Sequence, residues 1–364
     1  MFESFGEYLN QKKAVEEGYR GIKYIRFVDD ARPYKRGTVV FDNKKIVPAY
    51  PKIGRLFILE EGLKKFFREP FYIEEKADGY NVRVTHHEGN PVAVTRGGFI
   101  CPFSTDRLMD LYDFKGFFRQ VPEYILFGEI VGPNNPYMEL HPPYIEFDIG
   151  FRLFDIFDLK ESRYFLPQER YEFADKYQIP QVEKYGIYTS EEFERIKSLV
   201  LELNNRGIEG IVFKSSEKNQ KYYKYATPEI NIKDIEVDID LLLELPAEFF
   251  IQRIVRYVLS SRELNYQKNS DAERTGKILI KGFAEVVEEF QRKGSISRQY
   301  VLYFNHPENV EEFIKLENRA SSLIKTRLIS IEKEGSKFKV TLEKTFLKAT
   351  TRLSRLTRGF PLYD

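Results

Sequence analysis

Between residues 71 and 230 the chain is a succession of short runs rich in β-branched and aromatic residues: YNVRVTH, PVAVTR, YILFGEIVG, FRLFDIFDL, EGIVFKSS and KYYKYA. Turn residues such as EGNP and GPNNP separate them. Runs of this length and composition specify strands, and the frequent turns specify antiparallel pairing. Two stretches with helical spacing interrupt them, LMDLYDFKGFFRQ and SEEFERIKSLVLELNNRG, the second closing at Gly207. The pattern therefore predicts an α+β fold built on antiparallel sheet. Within it, FYIEEKADGYNVRV (71–84) reads as two strands joined by a tight turn at Asp78-Gly79, with Lys76 just before the turn.

After residue 233 the period changes. Ile251, Ile254, Val255, Val258 and Leu259 recur at helical spacing, and Ile280, Phe283, Val287 and Phe290 form a second stripe. Residues 234–300 thus read as a small helical module that buries its apolar faces against the main body or against a second copy. Residues 301–364 mix a strand candidate, FKVTL, with the stretch LEKTFLKATTRLSRLTRGF. In the latter a helix would align Lys344, Lys348, Arg352 and Arg355 as a basic stripe suited to a phosphate backbone. Residues 1–60 form an N-terminal module and 61–233 the strand-rich domain.

Composition narrows the function. Net charge is +1, so a nucleic-acid surface has to come from local clustering. Cys101 is the single cysteine, which excludes an intrachain disulfide and a multi-cysteine zinc site and points to a reducing compartment. The start of the chain lacks a secretory pattern and no run is long and apolar enough to span a membrane, so a cytoplasmic location is expected. Abundant Lys, Arg and Glu with few Met and His suggest a thermophile.

Lys76-Ala77-Asp78-Gly79 resembles motif I of the covalent nucleotidyltransferases, the ATP-dependent DNA and RNA ligases and capping enzymes. Further stretches follow in that family's order: Thr95-Arg96-Gly97-Gly98, Phe127-Gly128-Glu129-Ile130, Phe154-Asp155-Ile156-Phe157, Glu209-Gly210-Ile211-Val212-Phe213-Lys214 and Lys221-Tyr222-Tyr223-Lys224-Tyr225. The resemblance implies an ATP-grasp-like ligase domain in which Lys76 takes AMP from ATP. A lysine with an ordinary pKa of about 10.4 has to lose its proton for this, and Lys214, Lys221 and Lys224 together with Mg²⁺ (or Mn²⁺) would favour the neutral amine.

The same resemblance implies the other roles. Glu74 would meet the adenine amino edge. Asn81 and Arg96 would lie around the ribose and phosphates, and Glu129 would accept from the ribose hydroxyls. Phe154 and Val212 would enclose the base, Glu209 would hold the hydrated metal, and Lys221 and Lys224 would reach the α-phosphate. The i, i+3 spacing of the last two leaves open which is the principal one.

The turn to helices after Lys224 departs from DNA ligases and capping enzymes, which continue into an oligonucleotide-binding barrel. It is similar to the homodimeric ATP-dependent RNA ligases of archaea and other thermophiles. Their organisation adds an N-terminal module, a helical dimerisation module and a C-terminal module. The implied partners are RNA with 5′-phosphate and 3′-hydroxyl ends and a second copy, with no membrane. A DNA ligase and an RNA-binding protein with an inactive transferase fold are the competing readings.

Overall fold

A computed structural model describes residues 2–217, 221–266 and 270–361. The N-terminal residues form an antiparallel sheet of β1 (Ala14–Tyr19), β2 (Ile22–Phe27), β3 (Val39–Phe41) and β4 (Ile46–Val47), in that order. The central strands are β5 (Gly54–Arg55), β6 (Phe71–Lys76), β7 (Gly79–His87), β8 (Asn90–Thr95), β9 (Tyr124–Val131), β10 (Gly150–Asp158), β11 (Arg163–Tyr164), β12 (Lys184–Tyr188), β13 (Gly210–Ser215) and β14 (Tyr222–Ala226). They build two five-stranded sheets, β11-β10-β9-β7-β8 and β12-β6-β13-β14-β5. All pairings are antiparallel except that of β14 with β5.

The strands on either side of Asp78-Gly79 are where the sequence puts them, but they do not form a hairpin. β6 pairs with β12 and β13, while β7 pairs with β8 and β9. The chain crosses from one sheet to the other at Ala77 and Asp78. Gly79 serves this crossing rather than a tight turn: a Cβ there would stand 2.2 Å from the carbonyl oxygen of Ile130.

Strand alternation gives each sheet two jobs. Phe71, Ile73, Ile211, Phe213 and Tyr225 pack outward with the helices Leu59–Phe66 and Phe193–Asn205. Their in-between neighbours Glu74, Lys76, Val212, Lys214 and Lys224 face the space between the sheets and line a cavity there. On the facing sheet Val82, Val84, Leu126 and Ile130 enter a core, while Asn81 and Glu129, opposite each other in register, line the same cavity.

The C-terminal sheet, β15 (Ser297–Phe304), β16 (Ile324–Glu334) and β17 (Lys337–Phe346), has the order β15-β17-β16. Its Leu302, Phe304, Val340 and Leu342 join the core under β7, β9 and β10. The expected basic stripe does not form. Lys344 belongs to β17, is 5% exposed and pairs with Glu317. The helix begins only at Leu347, and Lys348 and Arg352 donate to the carbonyls of Glu244 and Leu243 at 2.7 and 3.2 Å.

The helical module also turns one expectation round. In the helix Ala247–Glu263, the apolar stripe faces outward, with Ile251, Ile254, Val255 and Val258 at 57, 37, 41 and 47% exposure. The inward face carries Phe250, Arg256, Ser260 and Ser261. On the following helical stretch Ile280 is 75% exposed, while Val286 and Phe290 pack against Leu241, Phe346 and Leu353.

Candidate active site

The cavity between the central sheets has a volume of about 600 Å³. Glu74, Lys76, Asn81, Arg96, Glu129, Phe154, Val212, Lys214 and Lys224 line it, as do Tyr50, Pro51 and Ile53 from the N-terminal segment and Leu316 and Glu317 from the helix Glu308–Ala320. Glu209 stands beside it, ion-paired through its carboxylate to the Lys76 ammonium. Lys221 stands apart. It is exposed, precedes β14 and does not line the cavity. Residues three apart in an extended segment point to opposite faces, so Lys224 and Lys221 cannot both face the cleft.

At one end Phe154 of β10 and Val212 of β13 bound a slot between the two sheets. Its floor is an ionic network in which Arg170 Nε is left without a hydrogen-bond partner. Glu74, 1% exposed, accepts from Arg170 Nη2 at 2.8 Å and from the Tyr171 hydroxyl at 2.7 Å, and its other oxygen is 3.1 Å from Lys214 Nζ. Lys214 also donates to the carbonyl of Phe154 and lies 3.6 Å from Asp155, which accepts from the Tyr50 hydroxyl at 2.9 Å. Burial alone would raise the Glu74 pKa, but Arg170 and Lys214 outweigh it and hold the carboxyl below its ordinary value. Lys214 thus serves the slot, not the surroundings of Lys76.

At the other end the charges conflict. Burial disfavours the Lys76 ammonium, yet Glu209, Asp78 and Glu129 outweigh it and raise the lysine above its ordinary pKa. This reverses the expected field, in which neighbouring cations would depress it. The depressed lysine is Lys224, pushed down to about 8 by burial, Arg55 and Lys76. Burial and then Glu209 push Asp78 well above the carboxylate range, and burial lifts Glu129 to about 8, although Lys76 opposes it. The buried Oδ1 of Asn81 has no hydrogen-bond partner.

Several contributors escape sequence reasoning. Arg170 and Tyr171 come from the helix Pro167–Tyr177 and Tyr50 from a connection before β5, far from any motif in sequence. Arg55 lies opposite Lys224 in the β5–β14 register. Asp78 stood within motif I and was readable as a turn residue only because the crossing between sheets was not visible.

The chain matches the RNA ligase family model over residues 69–226 and the model for the C-terminal region of the Pab1020 ligase over residues 237–360. The chain belongs to the RNA ligase family. The ligase is also 30% identical to an uncharacterized protein of Methanocaldococcus jannaschii over 96% of this chain and 91% of that protein. Among solved structures, an Aquifex aeolicus chain, provisionally named an ATP-dependent DNA ligase, is 36% identical with a TM-score of 0.92 and full coverage of both chains. An archaeal ATP-dependent RNA ligase is 26% identical with a TM-score of 0.89, covering 99% of the ligase and 96% of that chain. The mixed α/β architecture of antiparallel sheets with N- and C-terminal modules is therefore shared along nearly the whole ligase.

Proposed function

We infer that the chain is an ATP-dependent RNA ligase that joins 5′-phosphate and 3′-hydroxyl ends through an AMP adduct on Lys76. The observation that carries this is the position of Lys76, at the crossing between two sheets, in a cavity that it shares with the aromatic and aliphatic slot and with Lys224. Family membership and the likeness to archaeal ATP-dependent RNA ligases support it.

In this reading Phe154 and Val212 enclose adenine and Glu74, held rigid by Arg170, Tyr171 and Lys214, stands at its edge. Asn81, Arg96 and Glu129 meet the ribose and phosphates. A carboxyl with a pKa of about 8 is protonated at neutral pH, so Glu129 donates to one ribose oxygen as well as accepting from another. Lys76 first releases its ammonium proton to solvent, and its neutral Nζ then attacks the α-phosphorus as the bond to pyrophosphate breaks. An oxygen of the RNA 5′-phosphate then attacks the same phosphorus and breaks the P–N bond, restoring the lysine. Finally a 3′-hydroxyl attacks the activated RNA phosphate and AMP leaves. Lys224 stabilises charge on the α-phosphate through these transfers.

Among the described residues no three His, Cys, Asp or Glu side chains form a metal cage. The carboxylates of Glu209, Asp78 and Glu129 nevertheless crowd one spot, where the acidity of Asp78 and Glu129 is suppressed, which fits a divalent cation that keeps several waters and shares the substrate's phosphates. Bound at Glu209, such an ion would supply charge neutralisation at the phosphates and free Lys76 from its carboxylate partner.

The test is incubation with α-labelled ATP and Mg²⁺ or Mn²⁺, on wild type and Lys76→Ala. A stable adduct lost in the variant is expected; no adduct in a folded wild type would favour the inactive RNA-binding reading. The Aquifex name motivates one rival, so single-stranded 5′-phosphorylated RNA and nicked DNA are assayed in parallel, with RNA the sealed substrate. The outward stripe of Ile251, Ile254, Val255 and Val258 supports a homodimer, which sedimentation at micromolar concentration tests. Among the described residues no helix is long and apolar enough to cross a membrane.

A further inference from the structure

The loop 95–100 leaves β8 and places Arg96 and Phe99 among the residues that line the cavity. It closes on itself. Gly98 N–H donates to the carbonyl of Thr95 at 2.9 Å, and Phe99 N–H to the Thr95 hydroxyl at 3.2 Å. These bonds fix the shape of the loop but not its place against the cavity. Arg96 is exposed, so the reach of its guanidinium depends on how its backbone is held.

The N-terminal sheet supplies that hold. Tyr24 and Arg26, two apart on β2, share one face of the strand. The Tyr24 hydroxyl accepts from Ile100 N–H at 3.2 Å. The guanidinium carbon of Arg26 stands 3.8 Å from the centre of the Phe99 ring, and its Nη1 donates to the carbonyl of Gly97 at 3.4 Å. Its Nη2 is paired with Glu17 at 3.1 Å, which anchors the guanidinium to β1. The approach is close at two glycines of positive φ. A Cβ on Gly98 would stand 2.6 Å from Arg26 Cγ, and one on Gly37 would stand 2.4 Å from the carbonyl oxygen of Arg96 itself. Arg26 Nε is buried with no hydrogen-bond partner, so the arginine is kept in this place at a cost that its own bonding does not explain.

We propose that Arg26 is a positioning residue for nucleotide binding. Through Phe99 and Gly97 it holds the loop so that Arg96 meets the nucleotide, and this is what the N-terminal sheet contributes to the reaction. The proposal rests on the role given to Arg96 above. Arg26 does not itself line the cavity, so its effect has to pass through the loop.

The test is a double-mutant cycle read by equilibrium binding of the α,β-methylene analogue of ATP with Mg²⁺, whose P–C bond keeps it intact. Arg26→Met should weaken binding about five- to tenfold, and in an Arg96→Ala background it should cost nothing further. Arg26→Lys, which keeps a cation over the ring, should recover part of the loss. A purely structural role would add to the Arg96→Ala loss instead of vanishing into it. Arg26→Met leaves Glu17 paired with Arg319 at 2.8 Å, so the fold should survive, which melting checks. If it does not, Tyr24→Phe deletes a single hydroxyl and carries the same cycle with a smaller effect.

Additive losses overturn the proposal, as does unchanged binding in Arg26→Met or in Arg96→Ala. Adduct formation by wild type is assayed alongside. Analogue binding without any adduct overturns the ligase reading alone, and no analogue binding by wild type overturns both.

Discussion

The two ends of the central cavity are built from the same sheets but handle charge in opposite ways. At the base end every buried charge is answered: Glu74 by Arg170 and Lys214, and Asp155 by Lys214 and the Tyr50 hydroxyl. At the other end Lys76 is bound by a carboxylate, Glu129 and Asp78 are driven towards protonation, and Arg55 Nη1 is buried with no hydrogen-bond partner. The first end pairs its charges without ligand and, in the proposed function, sets a shape for a flat neutral base. In the proposed function the second is completed by phosphates and a cation, which relieve its conflict of charges. Preorganisation for recognition and frustration for chemistry sit one slot apart on β6, at Glu74 and Lys76.

The comparison predicts opposite consequences for removing a charge. Glu74→Ala strands Arg170 and Lys214 in a buried site and should destabilise the fold by about 3–5 kcal/mol. Denaturant unfolding showing less than about 1 kcal/mol would mean the base end is not a paired network. Next in size, Lys224→Ala should lower the rate of adduct formation about a hundredfold with the fold intact. A normal rate would shift the phosphate role elsewhere.

Glu129→Gln should do the reverse of Glu74→Ala and raise stability at neutral pH. Its folded pKa of about 8 lies above the unfolded value, so between roughly pH 4 and pH 8 the folded state holds a proton that the unfolded state has released. Stability from this group therefore falls as pH rises through that window. The variant should melt a few degrees above wild type at pH 7.5, with the gap closing by pH 4. A gap independent of pH would show that Glu129 is an ordinary ionised carboxylate. The smallest effect is expected for Lys221→Ala, whose adduct formation should stay within about twofold of wild type because that side chain is on the wrong face.

Much of this was legible in the residues. The strand runs and the change to helical period after residue 233 followed from local pattern, because alternation and spacing are local properties of the backbone, while the motif residues that line one cavity followed from the family resemblance. The strands at 71–76 and 79–87 were readable; their separation into two sheets was not, since Asp-Gly is equally good chemistry for a hairpin and for a crossing. The same limit misplaced Lys344, where a strand runs three residues into what the charge spacing suggested was a helix. It also hid the outward direction of the Ile251 stripe, because periodicity shows that a helix has an apolar face but not what covers it.

What the sequence determined by itself was the kind of fold and the order of its parts, with Lys76 as the proposed nucleophile. Only the tertiary structure decided the protonation field of Lys76, the placing of Lys224 rather than Lys221 on the cleft, and the meeting of Arg55 with Lys224 across the β5–β14 register. The physical reason is that a charge's state depends on distance and burial, and those are set by segments far apart in the chain, Lys76 and Glu209 being 133 positions from each other.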